Sequence, residues 1–334
     1  MQIDAVITWV NGDDEVHRIK RLNALSARAG EFKNELITGR DRTRFLDNGE
    51  LEYCILSIHK FAPWIRKIHL VTDNQVPEFL TPDLQSKYNV NIVDHKEIFE
   101  SYDWALPTFN TRTIETGLWR IPGLAPYFIY FNDDFIITKE VRPNHFFRDG
   151  KVVLRGHWSS LKNYGPFRLK INDLFSIAAK RILGITRSMH LLLQIRSASY
   201  AGLKNSFFRA PHVPHPVRTE TLKKFFSENP HLFNNNIKYR FRNTDQFSAI
   251  FLANHLEIKN KHAVLRDTKD YVMINGEMDF DFSVNKKLND IKNDCIRFVC
   301  LQGFEHFREK QKNKIMAEFN HLLNNVEPDL VPTD

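Results

Sequence analysis

Asn132, Asp133 and Asp134 stand directly after the strongly apolar run Tyr127 to Phe131. Adjacent carboxylates at a rigid strand end are hard oxygen ligands, able to hold Mg²⁺ while the metal also binds a diphosphate. The same residue types make turns and helix caps, so the pair alone leaves both readings open. A second group lies in the proline-braced stretch Pro211 to Pro216, where the restricted backbone presents His212 and His215 in fixed directions. A positioned imidazole is the commonest general base near neutral pH, although a loop carrying plain surface or core histidines has the same spelling. Arg240, Arg242 and Asp245 follow. A guanidinium fork suits phosphate oxygens in a transition state, while exposed arginines are common in any protein. There is no Gly-rich phosphate loop of the Walker or dinucleotide type, so a nucleotide here must be held by side chains and a metal.

The elements that must position these residues are legible as patterns. Ile3 to Val10 is a β-branched run ended by Asn11-Gly12; Asp13 and Asp14 can then cap a helix with Val16, Ile19, Leu22 and Leu25 at helical spacing. A helix bearing Leu51, Ile55 and Ile58 on one face stops at Pro63 and leads to a strand from Ile68 to Thr72. Val90 to Val93 reads as a third strand, with a helix starting near Asp94; a helix around Thr113 to Arg120 precedes the strand Tyr127 to Phe131. Strands alternating with helices predict an α/β fold with a mostly parallel sheet flanked by helices, over residues 1–155. Such sheets bind ligands at the carboxyl ends of their strands. Those ends carry Asn11, Gly12 and Asp13, then Asp73, Asn74 and Gln75, then Asn132 to Asp134. Trp9 also sits at a strand end, where a base or sugar could stack. Residues 156–326 read as a helical C-terminal insertion or subdomain, with stretches such as Leu174 to Leu183 and Ser188 to Ile195, packed on the first part as one catalytic unit. Residues 327–334 read as a frayed tail.

Composition narrows the class. With 334 residues, 42% of them apolar, the chain can bury a sizeable core. The 47 Lys and Arg against 40 Asp and Glu leave a formal charge of +7, which favours phosphate-bearing partners or an anionic surface without choosing between them. Nothing resembles a nucleic-acid motif. Cys54, Cys295 and Cys300 are widely spaced and have no zinc-like partners, which fits a reducing compartment. The start has no basic region before its apolar run, and no apolar stretch reaches the ~20 residues of a spanning helix. The expectation is a cytoplasmic protein whose membrane contact, at the inner face, would be peripheral.

Several segments together are specific. Ile3 to Asp13 (IDAVITWVNGD) resembles the first conserved region of the Stealth family of sugar-phosphate transferases. Arg44 to Leu51, Phe61 to Ile68, Val71 to Pro77, Leu106 to Asn110 and Tyr130 to Asp134 resemble its second region. His212 to His215 with Arg242 and Asp245 resemble the third, and Arg297 to Leu301 the start of the fourth, where Gln302-Gly303 replaces the family's Asn-Asp. The resemblance implies a nucleotide-sugar transferase-like fold. It also implies transfer of hexose-1-phosphate, with N-acetylhexosamine-1-phosphate as the expected unit, from a UDP-sugar to a hydroxyl of a capsular or cell-surface polysaccharide, releasing UMP. In that reaction Asp133 and Asp134 would hold Mg²⁺ or Mn²⁺, His215 or His212 would take the acceptor proton, and Arg242 would neutralise the moving phosphoryl group, with Asp245 beside it. Trp9, Asn11, Gly12 and Asp13 would line the nucleotide site, with Arg44, Asp47 and Asn48 nearby. The implied partners are the nucleotide sugar, the oligosaccharide or polysaccharide acceptor and membrane-bound capsule-assembly machinery, with no nucleic acid. A metal-dependent glycosyltransferase releasing UDP, and a non-catalytic carbohydrate- or nucleic-acid-binding module, are the competing readings.

Overall fold

The computed structural model describes residues 1–26, 48–161, 189–292 and 295–323. In chain order its strands are β1 (Ile3–Thr8), β2 (Ile68–Thr72), β3 (Val90–Asp94), β4 (Tyr127–Asn132), β5 (Phe135–Ile137), β6 (Phe147–Arg148), β7 (Lys151–Arg155), β8 (His157–Ser160), β9 (Ser206–Arg209), β10 (His215–Arg218), β11 (Ala263–Arg266), β12 (Tyr271–Asn275) and β13 (Phe298–Gln302). The helices are α1 (Glu15–Ser26), α2 (Glu50–Phe61), α3 (Pro82–Lys87), α4 (His95–Ile98), α5 (Thr111–Gly117), α6 (Met189–Tyr200), α7 (Thr219–Glu228), α8 (Pro230–Ile237), α9 (Ala249–Lys259), α10 (Asp281–Lys292) and α11 (Glu309–Leu323).

The main sheet runs β10-β4-β1-β2-β3, with β4, β1, β2 and β3 parallel and β10 antiparallel to β4. Both faces are covered, which is why its strands read as near-continuous apolar runs. Ile3, Ala5 and Ile7 join Leu51, Ile55 and Ile58 of α2 in one core, while Val6, Val71, Val93 and Phe128 join Leu222, Phe233 and Leu252 of α7, α8 and α9 in the other. A smaller sheet, β12-β13-β5, packs through Ile136, Val299 and Leu301 on Val284, Leu288, Ile315 and Phe319 of α10 and α11. The expected α/β architecture is present.

Two expectations change. Of the four apolar positions at helical spacing, Val16, Ile19 and Leu22 face solvent at 62%, 46% and 47% exposure, and Leu25 alone packs, partly buried, beside the buried His17 and Ala24 against Phe109 and Phe241. Helical spacing identified the helix, but the aromatic surface it lands on selected the other face. The part beyond residue 155 is also not purely helical. It supplies β8 to β13, and β10, only four residues long with Pro216 inside it, closes the edge of the main sheet, a position where a missing N–H is tolerated. The stretch expected as helix from Leu174 to Leu183 and the tail 327–334 lie outside the described residues.

At the amino edge of the sheet Asp4, fully buried, accepts from Arg66 Nε and Nη2 at 2.8 and 2.6 Å and from the Ala125 N–H at 2.8 Å, and it meets His69 Nε2 at 3.0 Å. Burial alone would raise its pKa, but these bonds override it and hold the carboxyl at about 2, below its ordinary 3.8. A depressed carboxyl stabilises the fold above the ordinary value, and that contribution is lost as pH falls through the folded one. Asp4→Asn should therefore lack a loss of roughly 2 kcal/mol that the parent chain shows between about pH 4 and pH 2, as read by urea titrations across that window.

Candidate active site

The parallel strands place Asn11, Asp73 and Asp133 on a common edge. The loops after β1 and β2 are cross-braced: Gln75 Oε1 accepts from the Asn11 N–H at 3.0 Å and Gln75 Nε2 donates to the Asn11 carbonyl at 2.9 Å. The Asn11 side chain accepts from the Asp13 N–H at 2.9 Å, so it shapes the turn, with Gly12 buried inside it. Trp9 is only 5% exposed and lies in the core under the sheet, with Nε1 lacking a hydrogen-bond partner. Asn48 binds Glu50 through its N–H at 3.0 Å and its side chain at 3.2 Å, at the start of α2. Arg44 and Asp47 lie outside the described residues.

Asp134 is the most constrained carboxylate of this edge. Its backbone carbonyl accepts from Leu301 N–H at 2.9 Å where β13 meets β5, and the Cys300 thiol donates to Oδ2 at 3.4 Å. Oδ1 is buried without a partner. Burial, reinforced by the negative Glu50, pushes its pKa up to about 7, against the lowering effect of the Cys300 bond. Asp133 precedes it, partly exposed. On the adjacent strand β10, His215 pairs in register with Tyr130. Tyr130 Oη donates to Asn132 Oδ1 at 2.8 Å, and it also contacts Thr8 Oγ1 at 3.1 Å and Glu115 Oε1 at 3.4 Å. Ser248 Oγ donates to the other Glu115 oxygen at 2.6 Å. Burial raises the pKa of Glu115, and the guanidiniums of Arg112 and Arg242 partly offset this. Arg242 Nη2 reaches Thr111 Oγ1 at 3.4 Å.

The structure thus gathers Asn132, Asp133 and Asp134 at the end of β4, with His215 beside that strand and Arg242 within electrostatic reach of Glu115. His215 is 6% exposed, and burial, the neighbouring His212 and Arg155 hold its pKa down at about 3; burial holds the more exposed His212 at about 4. Both imidazoles are neutral in the physiological range. Asp245 is exposed, 3.7 Å from Arg196, in a cleft it shares with Tyr200 and Tyr239.

Glu115, Tyr130 and Ser248 were missed by reading the sequence, as were Asn110 and Gln246. Asn110, fully buried, donates to the Tyr239 and Phe241 carbonyls at 3.0 and 2.9 Å and to Gln246 Oε1 at 2.8 Å, which fastens α5 to the segment leading into Arg242. A usable signal existed for two of them, a lone carboxylate in the helix around Thr113 and a hydroxyl in an apolar strand.

Gly156 makes a further demand on this region. It has φ of 154°, and a Cβ there would lie 2.4 Å from the Arg209 carbonyl oxygen and 2.6 Å from the Phe208 ring. Gly156→Ala should therefore push β9, and with it the approach to His212, out of place. We expect a stability loss of about 1–3 kcal/mol by thermal unfolding and a fall in turnover of about 10²-fold.

Among the described residues no group of three or more His, Cys, Asp or Glu side chains is arranged to hold a metal by itself. The donor set nevertheless fits a hard divalent cation that takes its remaining ligands from a diphosphate, as Mg²⁺ usually does. Asp134 offers an unpartnered buried oxygen, next to a second carboxylate.

The fold and site define a mixed α/β protein with its polar centre at the carboxyl ends of parallel strands. Residues 1–27 match conserved region 1 of the Stealth proteins and residues 44–154 match conserved region 2. The chain is 31% identical over 295 residues to the capsular polysaccharide phosphotransferase fcs1 of Haemophilus influenzae, covering 86% of this chain and 75% of that one. It is 28% identical over 345 residues to the exopolysaccharide phosphotransferase cps2G of Lactiplantibacillus plantarum, covering 97% and 91%. Among solved structures it is similar to the galactosyltransferase LgtC in complex with donor and acceptor sugar analogues, with a TM-score of 0.41 and 9% identity over 99% of this chain and 98% of that one. The chain belongs to the Stealth family.

Proposed function

We propose that this chain transfers hexose-1-phosphate, with N-acetylhexosamine-1-phosphate as the unit, from a UDP-sugar to a hydroxyl of a capsular or cell-surface polysaccharide. Two observations support the reading: Asp134, just beyond β4, keeps a buried oxygen without a partner, and His215 pairs in register with Tyr130 of that strand. The names of the two phosphotransferase relatives support it.

In this reading an acceptor hydroxyl oxygen forms a bond to the sugar-bearing phosphorus, the bond from that phosphorus to the bridging oxygen breaks, and UMP departs. The hydroxyl proton passes to His212, the more exposed of the two imidazoles, with His215 behind it. A neutral imidazole is ready to accept without first losing a proton, and the negative donor raises its basicity. Arg242 balances the charge spread over the phosphoryl oxygens. Asp133 and Asp134 would hold Mg²⁺ or Mn²⁺, which when bound supplies Lewis-acid stabilisation of the diphosphate. Asn11, Gly12 and Asp13 form the rim toward the nucleotide. Among the described residues no helix is long and apolar enough to cross a membrane. The reading places the enzyme in the cytoplasm, working peripherally with membrane-bound capsule machinery on a nucleotide-sugar donor.

The test is to supply the purified chain with Mg²⁺, UDP-N-acetylglucosamine and capsule-type oligosaccharides and to identify the nucleotide released. UMP with a new phosphodiester supports the proposal. UDP would mean attack at the anomeric carbon, and no nucleotide from any UDP-sugar would remove the assigned donor.

A further inference from the structure

Helix α6 lies against the segment that carries His212. Its residues His190, Gln194 and Ser197 share one face by helical spacing. Ser197 Oγ donates to the Ser248 carbonyl at 2.9 Å, which ties this face to the start of α9. Gln194 is fully buried, and its amide grips the backbone of Ala210: Oε1 accepts from the Ala210 N–H at 2.8 Å and Nε2 donates to the Ala210 carbonyl at 3.0 Å. The Ala210 N–H demands an acceptor, so the orientation of the amide is decided by the backbone.

Gln194 Nε2 also lies 3.0 Å from His190 Nδ1 and 3.5 Å from His190 Nε2, distances that seat the amide over the face of that ring. That ring is stacked on His212, with centroids 3.9 Å apart and planes at 27°. Phe251 meets His190 and His215 edge-on at 5.0 and 5.4 Å, closing the other side. The titratable and charged groups facing His190 are His212, His215 and Arg209, and burial keeps it well below the usual imidazole range.

We propose that Gln194 and His190 are positioning residues for His212. The Gln194 amide ties down the Ala210 backbone and packs on the His190 ring, and that ring, stacked on the other imidazole, fixes the plane of His212. The catalytic half of this inference rests on His212 as the proton acceptor in the proposed reaction; the packing does not.

Gln194→Glu keeps an acceptor for the Ala210 N–H but replaces both donors with a negative charge. A carboxylate beside stacked imidazoles favours their protonated forms, so the acid limb of the kcat profile should move up by about one pH unit. The loss should appear on the acid side, at about pH 5 and below, and vanish toward neutrality, with KM for the UDP-sugar unchanged. His190→Phe, which keeps a flat ring, should retain most of kcat, and His190→Ala should lose ~10-fold or more. A Gln194→Glu profile of unaltered shape, or full activity in His190→Ala, would overturn the positioning role. Nitrogen-15 histidine spectra of the parent chain and of Gln194→Glu supply an arm independent of turnover. A His212 titration moved up by about one pH unit in the variant supports the coupling, and an unmoved one overturns it, even in a preparation that releases no nucleotide.

Discussion

Asp134→Asn should lower turnover by ~10³-fold or more while leaving the chain at least as resistant to unfolding as before. The two halves of this expectation have one cause. Asp134 is a carboxylate whose Oδ1 is buried without a partner, in a neighbourhood made more negative by Glu50. A charge placed this way costs the fold energy that a neutral amide of the same shape does not. A divalent cation held by Asp134 and Asp133 would offset that cost, and an asparagine would hold it less tightly. Thermal unfolding with and without Mg²⁺ or Mn²⁺ separates the effects: the cation should raise the midpoint of the parent chain and leave that of Asp134→Asn in place. A variant that keeps full turnover would remove Asp134 from the reaction. A midpoint that falls on substitution would mean that the carboxylate has a structural role through Cys300, its thiol donor at 3.4 Å.

Arg242→Lys should cost about 10³-fold in kcat, because an ammonium keeps the charge but not the planar fork. Glu115 bears on the same step through Arg242. It is buried, bonded by Ser248 and Tyr130, and close enough to Arg242 and Arg112 for their charge to offset the rise in its pKa. Glu115→Gln removes the negative charge that balances those guanidiniums while keeping the shape of the side chain, and should cost about 10-fold in kcat. If Glu115 acts by holding Arg242, the double variant should be no slower than Arg242→Lys alone. Multiplied losses would show that the two act independently. Parallel measurement of KM for the UDP-sugar locates the loss, since a guanidinium that works on the transferring phosphoryl group affects kcat more than binding.

The residue order determined by itself whatever depends on neighbours in the chain. Strands β1, β2, β3 and β4 were readable to within a residue or two because both faces of a parallel sheet are covered and most of each run is apolar or β-branched. Helix α2 was readable because Leu51, Ile55 and Ile58 recur at helical spacing before Pro63. The polar residues after β1, β2 and β4 were identifiable because a parallel sheet carries its ligands there.

Tertiary structure decided what depends on partners far apart in sequence. Val16, Ile19 and Leu22 recur at helical spacing, yet α1 turns His17 and Ala24 inward, beside the partly buried Leu25, because Phe109 and Phe241 offer the apolar surface. Cys300 and Asp134 are 166 residues apart, and Tyr130 and Thr8 are 122 apart, so their contacts exist only once the strand order brings them together. The approach of Asp245 to Arg196 and the stacking of His190 on His212 have the same origin. Side-chain types announce what chemistry is available, but which of them share a buried site is set by sheet order and helix packing, and neither leaves a local trace in the sequence.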